Sequence, residues 1–163
     1  MNTKNVQVMI QRIQSVYLFL IALLSSLLLS GSILNFINGS GSVFKITFDS
    51  ILKSTGGQGS ELIEKLMPLS ALIILIPIIS LITIFIFKNR KIQLKLAIFL
   101  MILCTLQVIA LIHGSIKTMS KFEASLTPGF KMFLPLIMLI LSILAYRGIK
   151  KDDHLVKSYD RLR

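Results

Sequence analysis

Long apolar runs alternate with short polar breaks along the chain, and this pattern predicts membrane-spanning helices. The four runs lie at about 16–34, 66–87, 95–113 and 130–147. Each is long enough for a helix to cross roughly 30 Å of hydrocarbon. The break between the second and third runs is short and contains Lys88, Arg90, Lys91 and Lys95. A transmembrane hairpin with a tight basic turn is therefore expected at the centre of the chain.

The first outer connection, at about 35–65, carries the pattern of a small β-hairpin. Asn38–Ser42 has the composition of a tight turn, and Val43–Asp49 then alternates apolar and polar residues. This alternation predicts a strand, and Leu34–Ile37 can pair with it. An isolated hairpin is only marginally stable, so its apolar face must rest on the bundle, the lipid surface or a partner. From Ser60 onward, the acidic residues favour a helix start leading into the second run.

The connection from His113 to Phe130 is predicted to be a polar loop, and the tail after the fourth run is predicted to be helical. Asp152 and Asp153 suit the start of a helix. The residues after them place an apolar stripe beside basic side chains. A basic amphipathic helix of this kind is typical of a membrane surface or a partner groove. We therefore expect a basic cytoplasmic tail at 148–163.

The residues before the first run predict a helical leader, because apolar side chains recur there at helical spacing. A signal peptide is the alternative, since Lys4 and Arg12 precede an apolar core that small residues follow. The long leader and the length of the run favour a retained anchor. Both Met1 and Met9 can serve as the start of translation.

Composition supports an integral membrane protein. Hydrophobic residues make up 54% of the 163 residues and charged residues 15%, and the mean hydropathy is +0.81. A soluble domain of this size cannot bury so much apolar surface. The predicted fold is an all-α integral membrane protein, with residues 1–163 in one domain. It is a four-helix bundle with a short β-hairpin in the first outer loop and a cytoplasmic amphipathic C-terminal helix.

The distribution of positive charge predicts the orientation of this bundle. Four spans place both termini on one side, and 12 of the 18 lysines and arginines fall on that side. Short loops rich in these residues stay in the cytoplasm, so both termini are expected there and the 35–65 loop outside. The net charge of +11 sits mainly at the ends of apolar runs. This placement favours anionic lipid over nucleic acid as a partner, with ribosomal RNA kept as an exception.

Few residues within the runs carry chemistry. No ionisable side chain lies deep in them, and the single cysteine, Cys104, excludes an intramolecular disulfide. Gln107 is the best candidate for an intramembrane polar contact, either as a packing hydrogen bond or as part of a path. Pro77 removes a backbone hydrogen bond and predicts a kink, although neighbouring helices often satisfy the freed carbonyl. No catalytic constellation, metal site or cofactor site is recognisable, so we expect no enzyme activity.

Two functions fit these observations. The first is an accessory or scaffold subunit of a larger membrane complex, which docks through its basic cytoplasmic ends. The second is a small oligomeric transporter or channel with a path near Gln107 and the Pro77 kink. The candidate residues for docking on a partner or on lipid are Arg12, Lys88, Arg90, Lys91, Lys157, Tyr159, Arg161 and Arg163.

Both ends of the chain resemble one family. Two stretches at the start, Met9–Gln14 and Val16–Leu18, and three at the end, Ile149–Asp153, Leu155–Ser158 and Asp160–Arg163, are similar to the ends of Bacteroidota membrane proteins known as domain of unknown function 4293. The resemblance implies the cytoplasmic membrane of a Gram-negative bacterium and a periplasmic outer loop, and it implies no activity. Members commonly begin at the equivalent of Met9. If the two ends pack together, Arg12 can pair with Asp160.

Overall fold

The computed structural model contains four long helices and five strands. It describes residues 3–54, 59–87 and 89–160, and the side chains of 13–54, 59–87 and 89–153. The helices are α1 (Thr3–Leu28), α2 (Met67–Phe85), α3 (Arg90–Phe122) and α4 (Leu134–Asp160). The strands are β1 (Leu34–Asn38), β2 (Val43–Ile46), β3 (Ser50–Ser54), β4 (Glu61–Lys65) and β5 (Ala124–Thr127). A turn of 3₁₀ helix, Phe130–Phe133, precedes α4.

The four helices form a ring in which each packs against its two sequence neighbours, with α4 closing on α1. Buried side chains recur along each helix at alternate spacings of four and three residues. On α3 this stripe comprises Gln93, Ala97, Leu100, Cys104, Gln107, Leu111, Gly114 and Thr118. A repeat of this kind is the packing seam of a left-handed bundle.

Three of the helices are long and apolar enough to cross a membrane: Met67–Phe85, Arg90–Phe122 and Phe130–Asp153. The described part of α1 contributes a shorter apolar stretch, Ile13–Leu28. The predicted first run extended to 34, but α1 ends at Leu28 and the chain then turns into β1. The outward faces of the helices are apolar, as contact with lipid requires.

One end of the bundle carries a five-stranded antiparallel sheet in the order β4-β3-β2-β1-β5, so the predicted all-α fold with only a short hairpin is wrong. The expected pairing is present, since β1 and β2 are antiparallel with Leu34 opposite Ile46. Two further strands extend this hairpin on one side, and β5 joins it on the other. We call this the sheet end of the bundle, and the opposite end the distal end.

Two predicted helix boundaries are also wrong. The helix start expected near Ser60 is instead β4, which forms by pairing with β3. The polar loop expected after His113 is instead two more turns of α3, followed by β5. Glu123 ends the helix in the left-handed conformation, with φ 48°, and so redirects the chain toward the sheet.

The helix start that the sequence predicts at Asp152 and Asp153 is also wrong. No helix begins at Asp152, because α4 runs without interruption from Leu134 to Asp160. The described part of the basic tail, as far as Asp160, is therefore a direct continuation of the fourth helix. Its orientation follows that of α4 and is not set by a separate surface helix.

The apolar face of the sheet rests on α3. The Phe44 ring of β2 stacks on Phe122 with centroids 4.4 Å apart. About two turns back along α3, Ile46 lies against Gly114, where the ideal Cβ position is 3.7 Å from Ile46 Cδ1. Of the three supports that the sequence left open for this face, the structure provides the bundle. The extended end of α3 thus acts as the base of the sheet.

A salt bridge joins the edge of the sheet to the same helix. Lys117 Nζ on α3 lies 2.5 Å from Glu64 Oε1 on β4. The hydrogen bond from Lys117, helped by the charges of Lys117 and Lys121, holds the pKa of Glu64 below its ordinary value. A carboxyl group whose pKa is lowered by folding stabilises the fold above its unfolded pKa, and this contribution is lost as the pH falls through the folded pKa.

We therefore expect β4 to loosen from α3 as the pH falls from about 4.5, the ordinary pKa of Glu64, through the lower pKa of the folded state. Hydrogen exchange of the β3 and β4 amides, measured between pH 7 and pH 3, tests this. Glu64→Gln should show the faster exchange already at pH 7, whereas Glu61→Gln on the same strand should behave like the unaltered protein. An equal pH response in the unaltered protein and in Glu64→Gln would exclude Glu64 as its source.

Pro77 lies inside α2, where it cannot donate a hydrogen bond to the carbonyl of Ile73. The hydroxyl of Ser25 on α1 donates to that carbonyl instead, at 3.0 Å. In the other direction, the Ser80 hydroxyl of α2 donates to the Leu18 carbonyl of α1 at 2.5 Å. Pro77 therefore leaves the Ile73 carbonyl free to accept a hydrogen bond from the neighbouring helix α1. The helix α2 remains continuous through the proline.

Ser25→Ala is expected to destabilise the protein by about 1 kcal/mol, the usual size of a hydrogen bond between membrane helices. The reason is that Ile73 then keeps a carbonyl without a donor. In a Pro77→Ala background the alanine N–H satisfies that carbonyl, so Ser25→Ala should cost much less. Thermal unfolding in detergent of the unaltered protein, the two single variants and the double variant measures this coupling.

Ser26→Ala is the control, because the Ser26 hydroxyl donates to the Ala22 carbonyl of its own helix. If the effects of Ser25→Ala and Pro77→Ala are additive, Ser25 does not act through the Ile73 carbonyl.

Candidate functional site

A buried hydrogen bond joins the first and last helices at the distal end. Gln14 Nε2 on α1 donates to Asp152 Oδ2 on α4 at 2.8 Å. The two residues are only 4% and 7% exposed. A buried carboxylate needs a donor of this kind, because an unpaired charge away from water is costly.

Two more hydrogen bonds involve α3: one joins it to this pair and the other joins it to α2. Arg90 at the start of α3 donates from Nη1 to the Asp152 carbonyl at 3.0 Å. One turn later, Gln93 Nε2 donates to the Thr83 carbonyl of α2 at 3.2 Å. We call Gln14, Thr83, Arg90, Gln93 and Asp152 the polar clamp. It ties α4 to α1 and α3, and ties α3 to α2.

Close packing of α1 and α4 makes the clamp possible. A Cβ atom added at Gly148 would lie 2.8 Å from Gln14 Cγ and 3.4 Å from Gln14 Cδ. Real Cβ atoms essentially never approach another heavy atom so closely. Gly148 therefore gives Gln14 the space from which its amide reaches Asp152, and the glycine is part of the site although it has no side chain.

The clamp encloses little free space. The cavity beside it has a volume of about 20 Å³ and is lined by the clamp residues Gln14, Arg90, Gln93 and Asp152 with three neighbours. This is room for about one water molecule. Within the described residues no group of three or more His, Cys, Asp and Glu side chains is placed to hold a metal ion. The arrangement is suited to fixing helices in place.

Basic side chains lie on the helices that carry the clamp. Among the described side chains, the exposed cations at the distal end are Lys91, Lys95, Arg147, Lys150 and Lys151. The Lys150 ammonium lies 5.9 Å from the centre of the Tyr146 ring, a cation–π contact on the same helix. We call these five residues the basic rim.

The predicted docking residues fall into three groups. Arg90 lies in the clamp and Lys91 in the basic rim. Lys88, Arg161 and Arg163 are outside the described residues, as are the side chains of Arg12, Lys157 and Tyr159. The pairing of Arg12 with Asp160 also lies outside the described side chains and stays a prediction.

Gln107, the predicted intramembrane contact, is fully buried in the middle of α3. Neither its amide oxygen nor its amide nitrogen has a hydrogen-bond partner. The buried Ser80 and Ser142 hydroxyls donate to backbone carbonyls and not to Gln107. The described residues contain no hydrogen bond from Gln107 to another helix, and its role within the membrane stays a prediction.

Sequence reasoning missed Gln14, Gln93 and Asp152 as buried residues. In the sequence, Gln14 precedes the first apolar run and Asp152 suits the start of a helix, and a polar residue near a membrane surface is usually solvated. The missed signal was spacing. Gln14 precedes the buried Leu18 by four residues, and Asp152 follows the buried Ile149 by three. Both therefore continue the stripes that face the bundle interior.

The comparisons with known proteins give a family but no activity. A family model described as a domain of unknown function, DUF4293, matches residues 10–162. No curated protein matches the chain. The match covers most of α1, the other three helices and the sheet, so it applies to nearly the whole of the fold described above.

Proposed function

The chain belongs to the DUF4293 family of unknown function, and we propose that it is a non-enzymatic membrane scaffold, an accessory subunit that docks on a larger membrane-protein complex. The polar clamp carries this proposal. It joins the distal ends of all four helices by two buried hydrogen bonds and one partly buried one, and the cavity beside it among the described residues has room for about one water molecule. What it holds rigid on the outside is the basic rim.

We propose that the basic rim is the docking surface and that it faces the cytoplasm of a bacterium. The positive-inside rule supports this orientation, because the distal side holds most of the lysines and arginines. The rim then attracts anionic lipid and an acidic surface of a membrane-protein partner. The sheet lies on the opposite, periplasmic side.

A charge-matched comparison tests docking through the rim. The tagged protein is purified in mild detergent at native expression level, sized on a native gel and its partners identified by mass spectrometry. We expect one partner at fixed stoichiometry. Lys91, Lys150 and Lys151 are changed together to Gln in one variant, and Lys45, Lys53 and Lys121 of the sheet end in another. The first variant should lose the partner at least tenfold and the second should keep it.

Two results would overturn the scaffold proposal. If the unaltered protein is recovered as a monomer or small homo-oligomer with no other protein bound, it is not a subunit of a larger complex. An equal loss of partner in both variants shows that overall charge matters and that the basic rim does not.

The transporter alternative is favoured by one observation, the unpartnered amide of Gln107. Against it, the Ser25 hydroxyl donates to the freed Ile73 carbonyl at Pro77, and the buried Ser80 and Ser142 hydroxyls donate to backbone carbonyls. None of these described hydroxyls bonds to Gln107. Solute flux into liposomes that the unaltered protein supports, and that Gln107→Met abolishes, would favour the transporter over the scaffold.

A further inference from the structure

An apolar pocket of about 140 Å³ lies beneath the sheet, between α3 and α4. Leu34 of β1 and Leu126 of β5 close it on the side of the sheet. Leu111 and Pro135 contribute its buried inner wall. We call this the outer pocket. It is separate from the polar clamp, which lies at the other end of the bundle.

The outer pocket opens sideways through the outer faces of the two helices. Its rim residues Ile112 on α3 and Leu136 on α4 are 54% and 47% exposed. Both belong to helices apolar enough to cross a membrane. In a bilayer, the medium at this opening is hydrocarbon and not water.

The chemistry of the pocket suits an apolar ligand. Ser115 is the one lining residue with a polar side chain, and its hydroxyl already donates to the Leu111 carbonyl at 2.7 Å. The pocket therefore presents no unsatisfied side-chain donor. A cavity of about 150 Å³ with apolar walls admits a benzene-sized group, so this pocket has room for several methylene groups.

The shape of the site distinguishes a lipid chain from a protein helix. A transmembrane helix of a partner would have to continue past the pocket, where Leu34 and Leu126 of the sheet close the way. A flexible chain can enter from the side and end there. The site also lies where the apolar run of α3 gives way to His113 and Lys117, which is the depth of the first methylenes of a lipid.

We propose that the outer pocket binds one acyl chain of a phospholipid from the leaflet on the sheet side. The bound chain contacts the sheet and the two helices at once and so stabilises their junction. This inference does not depend on the scaffold function, because it concerns a different end of the molecule.

Native mass spectrometry of the full chain, with a phosphatidylglycerol or a phosphatidylethanolamine added in detergent, tests the site. We expect one phospholipid retained per chain. Val108→Phe fills the pocket and should reduce that adduct at least tenfold. Ile109→Phe is the matched control, since Ile109 is its neighbour on α3 and is 55% exposed; it should retain the lipid. No adduct on the unaltered chain, or equal adducts on the two variants, would overturn the proposal.

A second readout guards against a Val108→Phe variant that fails to fold. The chain has no tryptophan, so Leu136→Trp places a single tryptophan, which can be excited selectively over the tyrosines, at the rim of the pocket. Phospholipid with brominated acyl chains should quench it in a saturable, one-to-one manner. Ile140→Trp, one turn along α4 and 57% exposed, should be quenched only in proportion to the lipid added. Proportional quenching at both positions would show that the pocket holds no bound chain.

Discussion

Replacing Gly148 with alanine is expected to destabilise the bundle, although alanine is the better helix former. The added methyl would lie 2.8 Å from Gln14 Cγ, so the Gln14 side chain has to move. Because that side chain is buried and its amide holds Asp152, any movement breaks the clamp. Overpacking of this kind costs about 1–3 kcal/mol, which outweighs the gain of about 0.5–1 kcal/mol in helix propensity. Thermal unfolding in a mild detergent measures the difference.

The double variant shows whether Gln14 is the cause. Gln14→Ala alone should also destabilise the protein, since the buried Asp152 carboxylate then lacks its donor. With Gln14 shortened, Gly148→Ala no longer meets an obstacle. It should then be neutral or stabilising, because only the propensity term remains. A loss of stability that is the same in both backgrounds would mean that Gly148 acts through another contact.

Gly114→Ala is the matched control for this experiment. Gly114 also lies in a helix on a buried stripe, but its ideal Cβ is 3.7 Å from Ile46 Cδ1, an ordinary contact distance. The same substitution should therefore be tolerated there. The contrast between the two glycines depends on the distance to one side chain and not on helix propensity, which is common to both.

The helices could be predicted from the sequence because an apolar run of membrane length has few other structures available to it. The faces of those helices could not be predicted from hydrophobicity. A residue such as Ile74 faces outward and Ile73 inward, and both are equally apolar because lipid and protein interior are similar solvents. The polar residues carry the missing information. Ser25, Ser80 and Gln107 all lie on the buried stripes.

The sheet was underestimated for a different reason. β1 and β2 are joined by a short turn, so local alternation was enough to predict their pairing. β5 pairs with β1 although the two are separated by α2 and α3, and no local pattern in Ala124–Thr127 records this partner. β4 is an edge strand that contains acidic residues. In the sequence alone, where its pairing with β3 is not visible, acidic residues at this place are typical of the start of a helix. Pairing over a long distance decides such strands.

Gln107→Met is expected to raise the stability of the protein, by about 1–3 kcal/mol, the cost of a buried polar group without a partner. Both amide atoms of Gln107 lack hydrogen bonds in a fully buried position. Methionine has a similar length and flexibility and carries no strong donor or acceptor. It can therefore fill the same space without that cost. Thermal or denaturant unfolding in detergent measures the gain.

Gln93→Met provides a control on the same helix and the same buried stripe. Gln93 differs from Gln107 in that its amide donates to the Thr83 carbonyl and belongs to the polar clamp. The substitution should therefore lower stability at Gln93 and raise it at Gln107. A loss of stability at both positions would mean that Gln107 is satisfied in the membrane by a bound water or ligand. That result would favour the transporter alternative, whose path requires a hydrated or ligand-binding polar group inside the bundle. A gain of stability at Gln107 agrees instead with a scaffold whose interior contains no water.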